Sequence, residues 1–229
     1  MSTGPRQPLA TAQQIAERLC HALIVVCQRG PFVAGSVRRG ESTVGDIEIV
    51  CEPTRLSSLL HRLEQIGITT TGGERARRLT HPIGGLPVTI YLTQPEEAHH
   101  QAQLFNNTAP RGANFGYIYM IRTGDGDFSH AMVTDVAHGG LRPPDIQCGG
   151  GVGTGYVWRN GTAPHLPDEA ALFAAWGLTA ACQQLYRADI VPPRHRNANA
   201  VQQLRQALQN NEWPDWAPAF TWEHATRNT

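Results

Sequence analysis

Apolar residues recur at helical spacing near the start of the chain. Thr11 is placed to cap a helix, with Gln14 at the reciprocal capping position. Ile15, Leu19, Leu23 and Val26 then share one face as far as Gly30. A short apolar run, Phe32-Val33-Ala34, ends in Gly35-Ser36. Beyond a polar, glycine-containing stretch, Ile47-Glu48-Ile49-Val50 predicts a strand that Pro53 closes. Thr54 can cap a second helix, which carries Leu56, Leu59, Leu60, Leu63 and Ile66 and stops at Gly67.

Residues 68–80 turn threonine-rich and then arginine-rich, which predicts one or two strands with an exposed face of Arg75, Arg77 and Arg78. Gly84-Gly85 make a turn before Val88-Thr89-Ile90-Tyr91-Leu92, a clear strand pattern. Helical segments are expected over 96–105, 112–122 and 126–136, and Pro143-Pro144 mark a change of character. Tyr156-Val157-Trp158-Arg159 runs into Asn160-Gly161, a hairpin signal. Asp168 can cap a helix that runs through Trp176, and Asn199 another with Val201, Leu204 and Leu208 on one face. The mixture of strands and helices gives an α+β fold: a mixed, mostly antiparallel sheet backed by helices.

Composition narrows the chemistry. The chain has 229 residues, of which 41% are hydrophobic and only 17% charged. That is enough to bury a core in one domain or in two small lobes sharing one. Basic and acidic residues number 19 each, so no general excess of positive charge draws the chain to nucleic acid. Contact with a nucleic-acid backbone must then come from a local arginine cluster. Every basic residue is arginine. Without lysine there is no side-chain Schiff base and no P-loop lysine. The five cysteines are scattered without zinc-binding spacing, which suits reduced thiols and a cytoplasmic location. No apolar run reaches the ~20 residues of a membrane span, and no signal peptide is expected.

The stretch that carries chemistry is Gly35-Ser36-Val37-Arg38-Arg39-Gly40 followed by Gly45-Asp46-Ile47-Glu48. Asp46 and Glu48 are two apart on the predicted strand, so both side chains fall on one face with Cα atoms ~6.5–7 Å apart. Ile47 and Ile49 point the other way, into the core. Two carboxylates this close repel unless a cation lies between them. Mg²⁺ meets that need, because it is held by one or two carboxylates together with phosphate oxygens and water. The Gly35-Ser36 turn offers backbone N–H groups and a hydroxyl to phosphate, and Arg39 adds a bidentate clamp. Triphosphate, magnesium and carboxylates together describe phosphoryl-type transfer.

This run resembles the signature of family X DNA polymerases of the polymerase beta type and their small bacterial and phage relatives. A second match is Arg122-Thr123-Gly124 with Phe128-Ser129-His130, similar to the family's turn-and-helix segment for the sugar and base of the incoming nucleotide. A third, fainter, is Glu169 to Leu178 with Ile190-Val191-Pro192-Pro193-Arg194, similar to the closing thumb segment. Together they cover roughly residues 12–196. The resemblance implies a nucleotidyltransferase palm over 11–140 and a thumb-like subdomain with a tryptophan-rich tail over 141–229. It implies that Gly35, Ser36 and Arg39 hold the triphosphate with Gly45 close by, and that Asp46 and Glu48 bind Mg²⁺, for which Mn²⁺ can substitute. Thr123 and Gly124 would line the sugar pocket and Ser129 would lie near the base. Arg38, Arg75, Arg77 and Arg78 are candidates for the nucleic-acid backbone. The expected partners are a dNTP and gapped or primed DNA, with the protein a monomer in the cytoplasm of a bacterium or phage-infected host.

The match breaks at one residue. The family's third carboxylate falls on the strand Leu86 to Leu92, where this chain has Thr89. Threonine is neutral and a poor magnesium ligand, so the hydroxyl-activating side of the site loses a full negative charge; Glu74, Glu96 and Glu97 are the acids near enough in sequence to replace it. The lysine-dependent lyase activity of some relatives is excluded. Gly149–Gly155 reads as a turn rather than a phosphate loop, since it precedes a strand and no lysine follows. Trp213, Trp216 and Trp222 either dock on the domain or stack on bases.

Overall fold

The computed structural model describes residues 6–93, 115–148, 157–160, 164–180, 193–210 and 220–222. The chain is α+β and divides into two compact units, Met1–Pro95 and Glu96–Thr229. The boundary expected near residue 140 falls inside the second of these. The helix expected over 96–105, the glycine-rich turn 149–155, and Trp213 and Trp216 lie outside the described residues. Among the described residues no helix is long and apolar enough to cross a membrane.

In the first unit, strand β1 (Gln7–Pro8) pairs antiparallel with β3 (Thr43–Val44). Helix α1 (Leu9–Leu23) follows Pro8 directly, so Thr11 lies inside the helix and no side chain caps it. A proline lacks the N–H that a helix interior needs, which fixes the start just after it. The helix ends at Leu23 rather than continuing to Gly30. Ile24–Val26 form a single 3-10 turn and Cys27–Val33 is strand β2. The run Ile24-Val25-Val26 is β-branched, which disfavours helix. It also leaves the buried stripe, with Ile24 56% and Val25 73% exposed.

The main sheet has five strands in the order β2, β4 (Ile47–Pro53), β7 (Val88–Leu92), β6 (Ala76–Leu79), β5 (Thr70–Gly72). β4 and β7 run parallel, and the other three pairings are antiparallel. Helix α2 (Gly35–Arg39) links β2 to β3, and α3 (Leu56–Gln65) follows β4. The N-cap of α3 is Arg55, not Thr54, without a side-chain bond. Ala12, Ala16, Leu19 and Leu23 of α1 and Leu59 and Leu63 of α3 pack with Ile47, Ile49, Cys51, Val88, Ile90 and Leu92. Full burial of each large aliphatic side chain there stabilises the fold by ~1.5–3 kcal/mol. One face of the sheet thus faces these helices, as the alternation predicted. The arginine run does not form one face: in β6, Arg77 and Arg78 point to opposite sides because successive strand residues alternate.

The second unit holds α4 (Phe115–Thr123), α5 (Gly126–Val133), a hairpin of β8 (Ile146–Cys148) with β9 (Val157–Arg159), α6 (Glu169–Ala175), β10 (Leu178–Ala180) and α7 (Ala198–Asn210). β10 pairs antiparallel with β11 (Phe220–Trp222). Asp168 caps α6 as expected, accepting from the Ala171 N–H at 2.8 Å. Asn197, not Asn199, caps α7, its Oδ1 accepting from the Ala200 N–H at 3.1 Å. Asn160 has φ 51°, as the turn signal predicts, but the partner of β9 lies upstream in β8. Trp176 is fully buried, stacks on Tyr117 with ring centroids 6.4 Å apart, and donates Nε1–H to the Met132 carbonyl at 2.8 Å. Gly116 permits α4 to lie against the start of α6: a Cβ there would run into the Asp168 carbonyl.

Candidate functional site

The geometry follows from β4. Ile47 and Ile49 are fully buried under the helices, so the alternate residues Asp46 and Glu48 share the opposite side of the sheet, both half-buried. Asp46 stands one residue before the strand and makes no hydrogen bond or ion pair among the described residues. Gly35 begins α2 with φ +61°, and a Cβ there would collide with the Glu48 carboxylate. The Ala34 N–H donates to the Glu48 carbonyl at 2.8 Å. The Gly35-Ser36 turn is therefore fastened against Glu48 by backbone and by the absence of a side chain, which brings Gly35, Ser36, Gly45, Asp46 and Glu48 together at the start of β4.

Arg38 and Arg39 occupy the last turn of α2. Arg39 is largely buried, and its Nε lies 3.3 Å from Oε1 of exposed Glu41. That guanidinium already holds one carboxylate, and an ion pair with so exposed a partner is worth little.

The ladder settles what stands beside the acids. Glu48 is in register with Thr89 of β7, and Thr89 with Arg78 of β6. Arg77 faces the other side; its Nη1 donates to the Gly72 carbonyl, and its buried Nε has no hydrogen-bond partner among the described residues. Arg75 precedes β6, and its carbonyl accepts from the Leu92 N–H at 2.8 Å. Among the described residues no group of three or more His, Cys, Asp or Glu side chains is placed to hold a metal ion. Asp46 and Glu48 alone form a two-carboxylate donor set, which suits a hard divalent ion only when a bound molecule supplies further oxygens.

Thr123, Gly124 and Ser129 belong to the second unit, at the turn from α4 to α5. Thr123 is fully buried. Ser129 is 5% exposed, and its hydroxyl donates to the Ile121 carbonyl at 2.8 Å. Asp125 caps α5 by accepting from the Phe128 N–H at 2.8 Å, and its own N–H donates to the Arg196 carbonyl at 3.0 Å. A Cβ on Gly124 would come within 2.7 Å of the Phe128 ring and the Ser129 hydroxyl. Arg196, fully buried, meets Glu169 through both guanidinium nitrogens and lies over the Phe173 ring at 5.3 Å. This pair is 27 residues apart, and nothing in the sequence marks it.

Of the described thiols, Cys20, Cys51 and Cys148 are raised, whereas the hydrogen bond with Cys51 lowers Cys27. Burial, with Cys27 and Glu17 nearby, pushes the Cys20 thiol up to about 11. A hydrogen bond with Cys27, and then burial, holds Cys51 well above the ordinary thiol range. Burial raises Cys148, which shares a hydrogen bond with Tyr117. No family model matches the chain, and no curated protein compared with it matches.

Proposed function

We propose that the chain is a magnesium-dependent nucleotidyltransferase of the DNA polymerase beta type, which adds dNMP from a dNTP to a primer 3′-hydroxyl in short gaps. The observation that carries this reading is the placement of Asp46 and Glu48 on the side of β4 away from the helical core, with the Gly35 turn pressed against Glu48. Carboxylates at the edge of a glycine turn are the arrangement that nucleotide phosphates and a divalent ion require together. In this reading Asp46 and Glu48 hold Mg²⁺, which when bound neutralises charge on the triphosphate. Gly35, Ser36 and Gly45 present backbone and hydroxyl to the phosphates, and Arg39 exchanges Glu41 for a phosphate oxygen. The turn Thr123-Gly124 belongs to the second unit. Ser129 supports that turn through the bond of its hydroxyl to the Ile121 carbonyl.

A one-nucleotide-gapped duplex with labelled dNTP and Mg²⁺ tests the proposal. Extension by the wild type that falls ~10²–10⁴-fold in Asp46→Ala is expected, and extension unaffected by Asp46→Ala would overturn the assignment. Thr89 beside Glu48 favours a second reading, a palm that binds nucleotide or DNA without efficient turnover. Under it the wild type extends nothing while Thr89→Asp extends.

A further inference from the structure

The side of the sheet that bears the acids also bears a cation. Glu48, Thr89 and Arg78 are partners across three adjacent strands. Cross-strand partners share a face, so carboxylate, hydroxyl and guanidinium form one row. Burial agrees: Glu48 and Thr89 are half-buried and Arg78 exposed, while Ile47, Val88 and Ile90, on the alternate positions, are fully buried. Neighbouring strands lie ~4.8 Å apart, Thr89 is short, and an extended arginine spans more than one such spacing. An arginine at position 78 is therefore long enough to span Thr89 to the acids. Its side chain makes no hydrogen bond or ion pair among the described residues, whereas that of Arg77 is bound to Gly72.

We infer that Arg78 is the acceptor-side cation of the transfer, so that the site works with one divalent ion rather than two. The inference rests on the nucleotidyl-transfer reading. Asp46 and Glu48 supply the two carboxylates that one divalent ion takes alongside phosphate oxygens and water. A second ion on the Thr89 side would find a neutral hydroxyl and a fixed positive charge that repels it. The guanidinium offers instead a planar fork that can grip two phosphoryl oxygens. In the step, the acceptor oxygen forms a bond to the α-phosphorus. The bond from that phosphorus to the bridging oxygen breaks, its electron pair leaves with pyrophosphate, and the hydroxyl proton passes to water. Arg78 donates N–H to the non-bridging α-oxygens, where charge must be held through the transfer.

Two readouts test this on the full chain. The first counts Mn²⁺ bound in the presence of a non-hydrolysable α,β-imido dNTP, by loss of the free-ion electron paramagnetic resonance signal. One ion per chain is expected for wild type and for Thr89→Asp, where the new carboxylate pairs with Arg78. Two are expected for Thr89→Asp combined with Arg78→Ala. The second is gap extension: Arg78→Gln is expected to lower kcat ~10²-fold with the dNTP KM changed less than threefold, and its melting temperature should be unchanged because Arg78 is exposed. Two Mn²⁺ in the wild type, or an Arg78→Gln kcat within twofold of wild type, would overturn the inference while leaving the nucleotidyl-transfer reading standing. Absence of Asp46-dependent Mn²⁺ and nucleotide binding would overturn both.

Discussion

At the edge of β4, in the first unit, Asp46 and Glu48 hold their carboxylates on the side of the sheet away from α1 and α3. At the α4–α5 turn, in the second unit, Thr123 and Ser129 are buried, and the Ser129 hydroxyl is engaged with the Ile121 carbonyl. Both regions carry polar residues at close spacings in the sequence, yet they use their polar atoms in opposite ways. The first keeps, at Asp46, a charge without a partner among the described residues, which a bound cation would meet. The second consumes its polar atoms in building a turn, held from outside by the Arg196 carbonyl on the Asp125 N–H. Polar atoms left without partners point to a ligand, and polar atoms paired with backbone point to shape.

The contrast can be broken most forcefully at Arg196. Arg196→Met leaves the Glu169 carboxylate buried without its guanidinium, and the second unit should lose about 3–5 kcal/mol of stability. All five tryptophans lie in that unit, so their emission during urea unfolding reports on it. Asp46→Asn removes a charge that supports no contact, so unfolding followed by circular dichroism should shift by less than about 0.5 kcal/mol or toward greater stability. A loss above 2 kcal/mol in Asp46→Asn would mean that the acid is structural after all.

A smaller effect sharpens the same contrast through pH. The Cys20 thiol is raised by burial from 9.0 to about 11 in the folded chain. The folded state therefore keeps a proton that the unfolded state releases first. Its stabilising contribution is complete below about pH 9 and is lost as pH rises toward 11. The urea midpoint of the first unit should fall across that window, and less so in Cys20→Ala. A midpoint equally steep in Cys20→Ala would assign the pH dependence to other groups.

Much of the first unit was legible because strands of period two separate core from site. Ile47 and Ile49 against Asp46 and Glu48, and Val88, Ile90 and Leu92 against Thr89, follow directly from alternation. What misled was continuity of apolar character. Ile24-Val25-Val26 extends the spacing of α1, but its β-branched residues leave the helix, and Ile24 and Val25 remain in water. Alternation puts Arg77 and Arg78 on opposite sides, and that Arg78 stands beside Thr89 depends on register, a long-range fact. The same holds for the Arg196–Glu169 pair, whose members are distant in sequence and meet only once the unit packs. Of the capping signals, Asp168 caps its helix, Asn197 takes the place expected of Asn199, and Thr11 falls inside a helix that starts after Pro8.

The most direct test of the central claim is nucleotide binding that depends on both a metal and the acid pair. Isothermal titration of the full chain with the α,β-imido dNTP should show binding in Mn²⁺, none in EDTA, and none in Asp46→Asn combined with Glu48→Gln. Binding that survives EDTA, or that is unchanged in the double variant, would contradict the assignment of this face of β4 as the nucleotide site.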